Sequence, residues 1–172
     1  MKIEELYNIS NSLTILYVED NEIIGLKVLE YLSKIFRDVV WEKDGISGFN
    51  KFKSQDFDIV VTDIYIPKLD GIEMLKKIKE IKPTQSCVII SEYKEPNCFI
   101  ESIKLGVDEY ILKPIEYEQM NKSFETLLSK INQTKLVQQY QTNLEQLIQE
   151  QTNDLMLFKK AIDSTAEGVV IT

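Results

Sequence analysis

Short apolar runs alternate with amphipathic stretches along the first two thirds of the chain. Leu13, Thr14, Ile15, Leu16, Tyr17 and Val18 form one such run, which ends in Glu19, Asp20 and Asn21. Ile23, Ile24, Val28, Leu29 and Leu32 then recur at helical spacing. Val39, Val40 and Trp41 read as a second strand, Gly45 to Phe52 as a helix, and the β-branched run 57–62 as a third strand. Pro67 and Gly71 punctuate a loop, after which helical spacing resumes from Ile72 to Ile81 and stops at Pro83. Cys87 to Ser91 gives a fourth strand, Pro96 to Leu105 a helix capped by Gly106, and Glu109 to Leu112 a fifth strand. Near-continuous apolar strands separated by helices predict a parallel sheet covered on both faces, a doubly wound five-stranded α/β sandwich. Ligands of such sheets sit beyond the carboxyl ends of the strands, at the topological switch point.

The pattern changes after Pro114. From Ile115 to Glu167 there is neither glycine nor proline. Met120, Phe124, Leu127, Leu128 and Ile131 form a broad apolar stripe suited to closing the α/β domain. The stripe then narrows to Val137, Gln141, Leu144, Ile148, Gln151, Leu155, Phe158 and Ile162. Steps of four and three in alternation are the heptad spacing of a coiled coil, and they predict a homodimer through a long helix. Fully helical, the segment would reach roughly 75 Å. Glutamines at two core positions cost stability and set register. The plain alternative is a polar linker without fixed structure. The expected organisation is a domain over residues 12–131, a coiled-coil helix over 132–162, and the opening of a further domain over 163–172.

Composition narrows the function. The net charge is −8, against the clustered positive charge that direct nucleic-acid binding requires. No apolar run approaches the roughly 18–20 residues of a membrane span, and the N-terminus is too polar for a signal peptide, so a cytoplasmic location is expected. Cys87 and Cys98 lack metal-site spacing and read as a reduced pair. There is no histidine, which excludes a histidine phosphodonor, general base or metal ligand within these residues. An ion site here must use carboxylates and carbonyls, which suit hard cations such as Mg²⁺.

Polar residues end four of the runs. They are Glu19 and Asp20 after the first, Asp63 after the third, Ser91 at the fourth and Lys113 just past the fifth. Each has a plain explanation: Asp20 or Asn21 as a helix cap, Asp63 as a turn residue, Ser91 bonded to backbone, Lys113 in solvent. Parallel strands bring all of them to one edge. Three carboxylates there repel one another unless a cation sits among them, and a divalent oxygen-preferring ion together with Lys113 resolves that repulsion. An aspartate beside Mg²⁺ and a lysine is a carboxylate nucleophile for phosphoryl transfer. The metal, held by Glu19, Asp20, Asp63 and a backbone carbonyl, neutralises phosphoryl oxygens, Lys113 supplies a point charge and Ser91 a hydrogen bond.

These residues resemble the receiver (CheY-like) domains of two-component response regulators. The resemblance lies in residues 15–21 (ILYVEDN), 62–71 (TDIYIPKLDG), 88–91 (VIIS) and 106–114 (GVDEYILKP), in family order and spacing. It implies that Asp63 accepts a phosphoryl group from a histidine kinase or phosphotransfer protein with Mg²⁺ or Mn²⁺. It matches Glu19 and Asp20 to the metal-binding acids, the Tyr65 carbonyl to a further ligand, Ser91 and Tyr110 to the switch pair, and Lys113-Pro114 to a lysine before a cis peptide. Ile66 and Glu92 depart from it, standing where methionine and a small residue are usual. Residues 158–172 resemble the opening of a PAS sensor domain and would end in a first β-strand, with the output lying elsewhere.

The expected role is a signalling switch rather than an enzyme. A haloacid-dehalogenase-like phosphatase would need a second aspartate where Tyr65 stands. A phosphorylation-independent interaction module would be expected to lose an acid or the lysine, and both are retained.

Overall fold

The computed structural model describes residues 3–92 and 96–169. The chain divides into two units, Met1–Ser129 and Lys130–Thr172.

In the first unit, helix α1 (Ile3–Ser10) precedes β1 (Thr14–Val18), α2 (Glu22–Ile35), β2 (Asp38–Glu42), α3 (Gly45–Ser54) and β3 (Ile59–Thr62). Then come α4 (Gly71–Ile81), β4 (Ser86–Ser91), α5 (Pro96–Leu105), β5 (Glu109–Leu112) and the start of α6 (Tyr117–Val169). All strand pairs are parallel, in the order β2-β1-β3-β4-β5. The chain winds outward from β1 in one direction to β2 and in the other through β3 to β5. The switch point therefore falls between the carboxyl ends of β1 and β3, where Glu19 and Asp63 emerge.

The predicted strands and helices all form, with boundaries shifted by a residue or two. Helix α1 was not expected; at eight residues it is too short to carry a long apolar stripe. Asn21, not Asp20, caps α2, its side chain accepting from the Ile23 and Ile24 amides at 3.0 and 3.1 Å. Buried Leu16, Val18, Phe57, Val60, Met74, Leu75, Ile78 and Ile89 form a continuous core on one side of the sheet. Strand alternation sends Ile15 and Tyr17 to the other side. Tyr17 stacks on Trp41 with ring centroids 6.4 Å apart, and Phe36 meets Phe124 of α6 edge-on at 5.3 Å. Met120, Phe124, Leu127 and Leu128 are buried, each contributing about 1.5–3 kcal/mol of transfer energy. The first turns of α6 are thus core elements of the α/β unit, as their broad stripe predicts.

In the second unit, the remainder of α6 is one uninterrupted helix, and Val137, Leu144, Ile148, Leu155, Phe158 and Ile162 are all exposed. The residues read as a PAS opening are helical through Val169; the expected terminal strand lies largely outside the described residues, which stop there. Among the described residues, no helix is long and apolar enough to cross a membrane.

Candidate functional site

The ladder carries the acids into place. The Glu19 amide continues the β1–β2 pairing by donating to the Glu42 carbonyl, and the Asp63 amide donates to that of Val18, both at 3.1 Å. Asp63 is consequently held at the strand end, 6% exposed, beside Glu19 at 1%.

Three donors converge on the Asp63 carboxylate. Ser91 Oγ donates to Oδ1 at 2.7 Å, Lys113 Nζ to Oδ2 at 2.6 Å, and the Tyr65 amide to Oδ1 at 3.2 Å. Lys113 also donates to Glu19 Oε2 at 2.7 Å, and the Asn21 amide to Glu19 Oε1 at 3.2 Å. The Lys113-Pro114 peptide is cis.

Charge follows this geometry. Burial raises the pKa of Glu19, and Asp63 adds to the rise, outweighing the hydrogen bond and charge of Lys113. For Lys113, burial favours the neutral amine, but the hydrogen bonds and charges of Asp63 and Glu19 together override it and raise its pKa. The buried lysine is therefore an ammonium bridging two carboxylates.

The sequence placed Glu19, Asp63, Ser91 and Lys113 at one edge, and the structure joins them. The Lys113 ammonium lies among the acids, the lysine part of the expected relief of repulsion, and Asp20 is exposed to solvent. Among the described residues, no group of three or more histidine, cysteine or acidic side chains is gathered closely enough to hold a metal ion. The donor chemistry nonetheless suits a hard cation: Glu19 and Asp63 already share one positive charge, and Asp20 follows Glu19 in sequence. Tyr65 is 45% exposed on the loop above the site. Tyr110 is half-buried and meets Phe99 edge-on at 5.4 Å.

Sequence reasoning missed the framework beneath these groups. Trp41 Nε1 donates to the Glu19 carbonyl at 2.9 Å. Among the described residues the buried Tyr17 hydroxyl has no hydrogen-bond partner, and burial followed by the Glu19 and Asp63 charges raises its pKa. A Cβ on Gly71 would lie 2.0 Å from the Asp63 carbonyl oxygen, so only glycine lets α4 start this close to Asp63. Lys68 holds a left-handed φ of 69° and donates to Asp44 Oδ2 at 2.7 Å, fastening the β3–α4 loop to the cap of α3. The Gly71 position after Pro67 was a readable signal. Nothing in the local sequence marks the Lys68–Asp44 contact.

A doubly wound sheet with this constellation at its switch point defines a class, and comparison with known proteins agrees. The chain belongs to the response regulator receiver domain family, matched over residues 15–125. A crystal structure of the N-terminal domain of an uncharacterized protein from Wolinella succinogenes is similar, with 34% identity and a TM-score of 0.66. It covers 72% of this chain and 99% of that one. Transcriptional regulatory protein RprY of Bacteroides fragilis is 26% identical over 130 residues, covering 76% of this chain and 55% of that protein. Hybrid signal transduction histidine kinase D of Dictyostelium discoideum is 28% identical over 150 residues, covering 86% of this chain and 10% of that protein. The chain thus spans little more than half of the former and a small part of the latter.

Proposed function

We propose that this chain is a phosphorylation-driven switch in a two-component phosphorelay, with Asp63 as phosphoacceptor. The observation that carries this is the buried Ser91–Asp63–Lys113 set, with hydrogen bonds of 2.7 and 2.6 Å at the strand switch point. A carboxylate oxygen of Asp63 attacks phosphorus of a phosphohistidine on a kinase or phosphotransfer protein. The O–P bond forms as the N–P bond breaks, and the imidazole leaves with the electron pair. Lys113 then exchanges one carboxylate partner for a phosphoryl oxygen, and Ser91 turns its hydroxyl from Asp63 to another. Glu19, Asp20, Asp63 and the Tyr65 carbonyl would hold Mg²⁺ or Mn²⁺, whose chemistry is neutralisation of charge on the transferring group. Tyr110, packed on Phe99, would follow Ser91 by turning inward, so the pair reports the state of Asp63 to β5 and α6.

The exposed heptad stripe of α6 supports a second part of this reading, a homodimer formed through residues 137–162. No activity beyond phosphoacceptance and slow self-dephosphorylation is assigned to these residues, and the output resides in what the helix joins or contacts.

Intact mass after incubation with acetyl phosphate and Mg²⁺ tests the switch. One added phosphoryl group is expected, absent from Asp63→Asn and abolished by a chelator. No adduct on a folded chain that also fails to bind beryllofluoride would overturn phosphoacceptance and leave a phosphorylation-independent interaction module.

A further inference from the structure

We infer that a second copy of this chain packs along residues 137–162 of α6 in parallel and in register, with Asp154 of each copy paired to Lys159 of the other. This rests on the dimer reading above and adds orientation, register and the contact that fixes them.

The eight seam positions divide into two classes. Gln141, Ile148, Leu155 and Ile162 occupy the a positions, and Val137, Leu144, Gln151 and Phe158 the d positions. The six apolar ones are each more than half exposed, an apolar stripe that a second helix would cover.

The glutamines do not decide orientation by themselves. A parallel in-register pair sets Gln141 on Gln141 and Gln151 on Gln151. An antiparallel pair centred on residue 146 sets Gln141 on Gln151, which also keeps polar with polar. The other antiparallel registers, one heptad either way, put Gln141 against an apolar residue.

The ends and flanks do decide. In the antiparallel pair centred on residue 146, Phe158 would face Thr134 and Ile162 would face Lys130, losing two apolar layers. It would also bring the two Glu145 side chains together at the dyad. In the parallel pair every apolar residue meets its own copy. A g residue there lies beside the e residue five positions on in the other helix. Those pairs are Tyr140 with Glu145, Leu147 with Thr152, and Asp154 with Lys159. None sets like charges together, and the last is an ion pair made twice by symmetry. Charge complementarity and seam continuity therefore favour the same arrangement.

The test uses the full chain with Cys87→Ala and Cys98→Ser, so that an added cysteine is the sole thiol. Sedimentation first reports the oligomeric state. Leu155→Cys is then oxidised alone, and separately a mixture of Val137→Cys chains with Leu155→Cys chains is oxidised. The expected results are a dimer, efficient 155–155 cross-linking and no 137–155 cross-link. A monomer at all accessible concentrations would overturn the dimer reading together with this inference. A dimer that cross-links 137 to 155 but not 155 to itself would overturn the orientation alone and leave the dimer standing. Asp154→Lys should weaken dimerisation about tenfold by replacing two attractive flanking contacts with repulsive ones. Adding Lys159→Asp should restore it to within about twofold. Failure of the swap to restore would refute the ion pair even if the orientation held.

Discussion

Lys113 holds the site together as much as it serves it, and its removal should show this. The ammonium is 8% exposed and bonded to Glu19 and Asp63 at 2.7 and 2.6 Å, with those carboxylates 1% and 9% exposed. Lys113→Met keeps the length and apolar stem of the side chain but leaves two buried carboxylates facing each other without a cation. Removing one partner of a buried pair costs about 3–5 kcal/mol, a large share of the roughly 5–15 kcal/mol that stabilises a domain. We expect a loss of about 3 kcal/mol, toward the lower end because the edge admits water. With an m-value of about 2 kcal/mol per molar urea, the midpoint should fall by about 1.5 M. Trp41, the single tryptophan, is bonded to the Glu19 carbonyl and gives the fluorescence signal for the α/β unit. Two further measurements separate charge from packing. Adding Glu19→Gln to Lys113→Met removes one buried charge and should recover part of the loss. Mg²⁺ should raise the midpoint of Lys113→Met more than that of the unaltered chain, because the ion replaces the missing ammonium. A loss below 1 kcal/mol, or a double variant no more stable than Lys113→Met, would refute the charge-bridge reasoning.

Other variants test the surrounding framework. Ser91→Ala removes the 2.7 Å hydrogen bond to Asp63 while filling the same space, so acetyl phosphate labelling should slow with the urea midpoint nearly unchanged, and Ser91→Thr should restore the rate. Gly71→Ala drives a Cβ into the Asp63 carbonyl and should impair both labelling and stability. Gly106→Ala meets no atom within 4 Å but must hold a φ of +70°, so it should cost about 1 kcal/mol and leave labelling intact. The hydrogen bond from Lys68, then that from the Ser47 amide, holds the Asp44 carboxyl down at about 2 from its ordinary 3.8. A lowered pKa stabilises the fold above the ordinary value and is lost as the pH falls through about 2. Acid titration of Asp44→Asn should therefore lack a contribution of about 1 kcal/mol present above pH 4, a value discounted for the exposure of Lys68. An unchanged acid transition would remove the latch from the account.

Much of this site was legible because parallel-sheet topology turns sequence order into spatial order. Apolar runs ending in Glu19, Asp63 and Ser91, with Lys113 just past the fifth run, need only the right-handed crossover rule to converge. What was not legible depends on side-chain geometry across elements. Whether Asp20 or Asn21 caps α2 is a contest between neighbours that local sequence leaves open, and its outcome leaves Asp20 facing water. That Lys113 would help relieve the repulsion was legible, but that it bonds both Glu19 and Asp63 at once was not, since a lysine stem reaches many positions and only burial selects one. Helix α1 escaped notice because it is only eight residues long, too short for its apolar positions to establish a repeat. Lys68 escaped for the opposite reason, since a charged residue in a loop predicts solvent, and here it spans to Asp44.

The placement of Lys113 bears on how a change at Asp63 would travel. Only residues 114–116 separate it from Tyr117, the first residue of α6. The same helix supplies Met120, Phe124, Leu127 and Leu128 to the core, so its start cannot shift without disturbing packing on α2. Tyr31 of α2 donates to Asn121 of α6 at 2.6 Å and packs near Tyr117 and Phe124, tying the two helices at that point. Exchange of a carboxylate partner of Lys113 for a phosphoryl oxygen would thus act on a short covalent lever against a packed fulcrum. Such an arrangement favours discrete positions over graded ones, because close-packed interfaces do not deform continuously. Tyr31→Phe tests the fulcrum. It keeps the ring contacts and removes the hydrogen bond, so it should leave acetyl phosphate labelling of Asp63 unchanged while altering phosphorylation-dependent protection of the α6 amides from hydrogen exchange. Identical protection changes in both proteins would show that α2 is no part of the transmission.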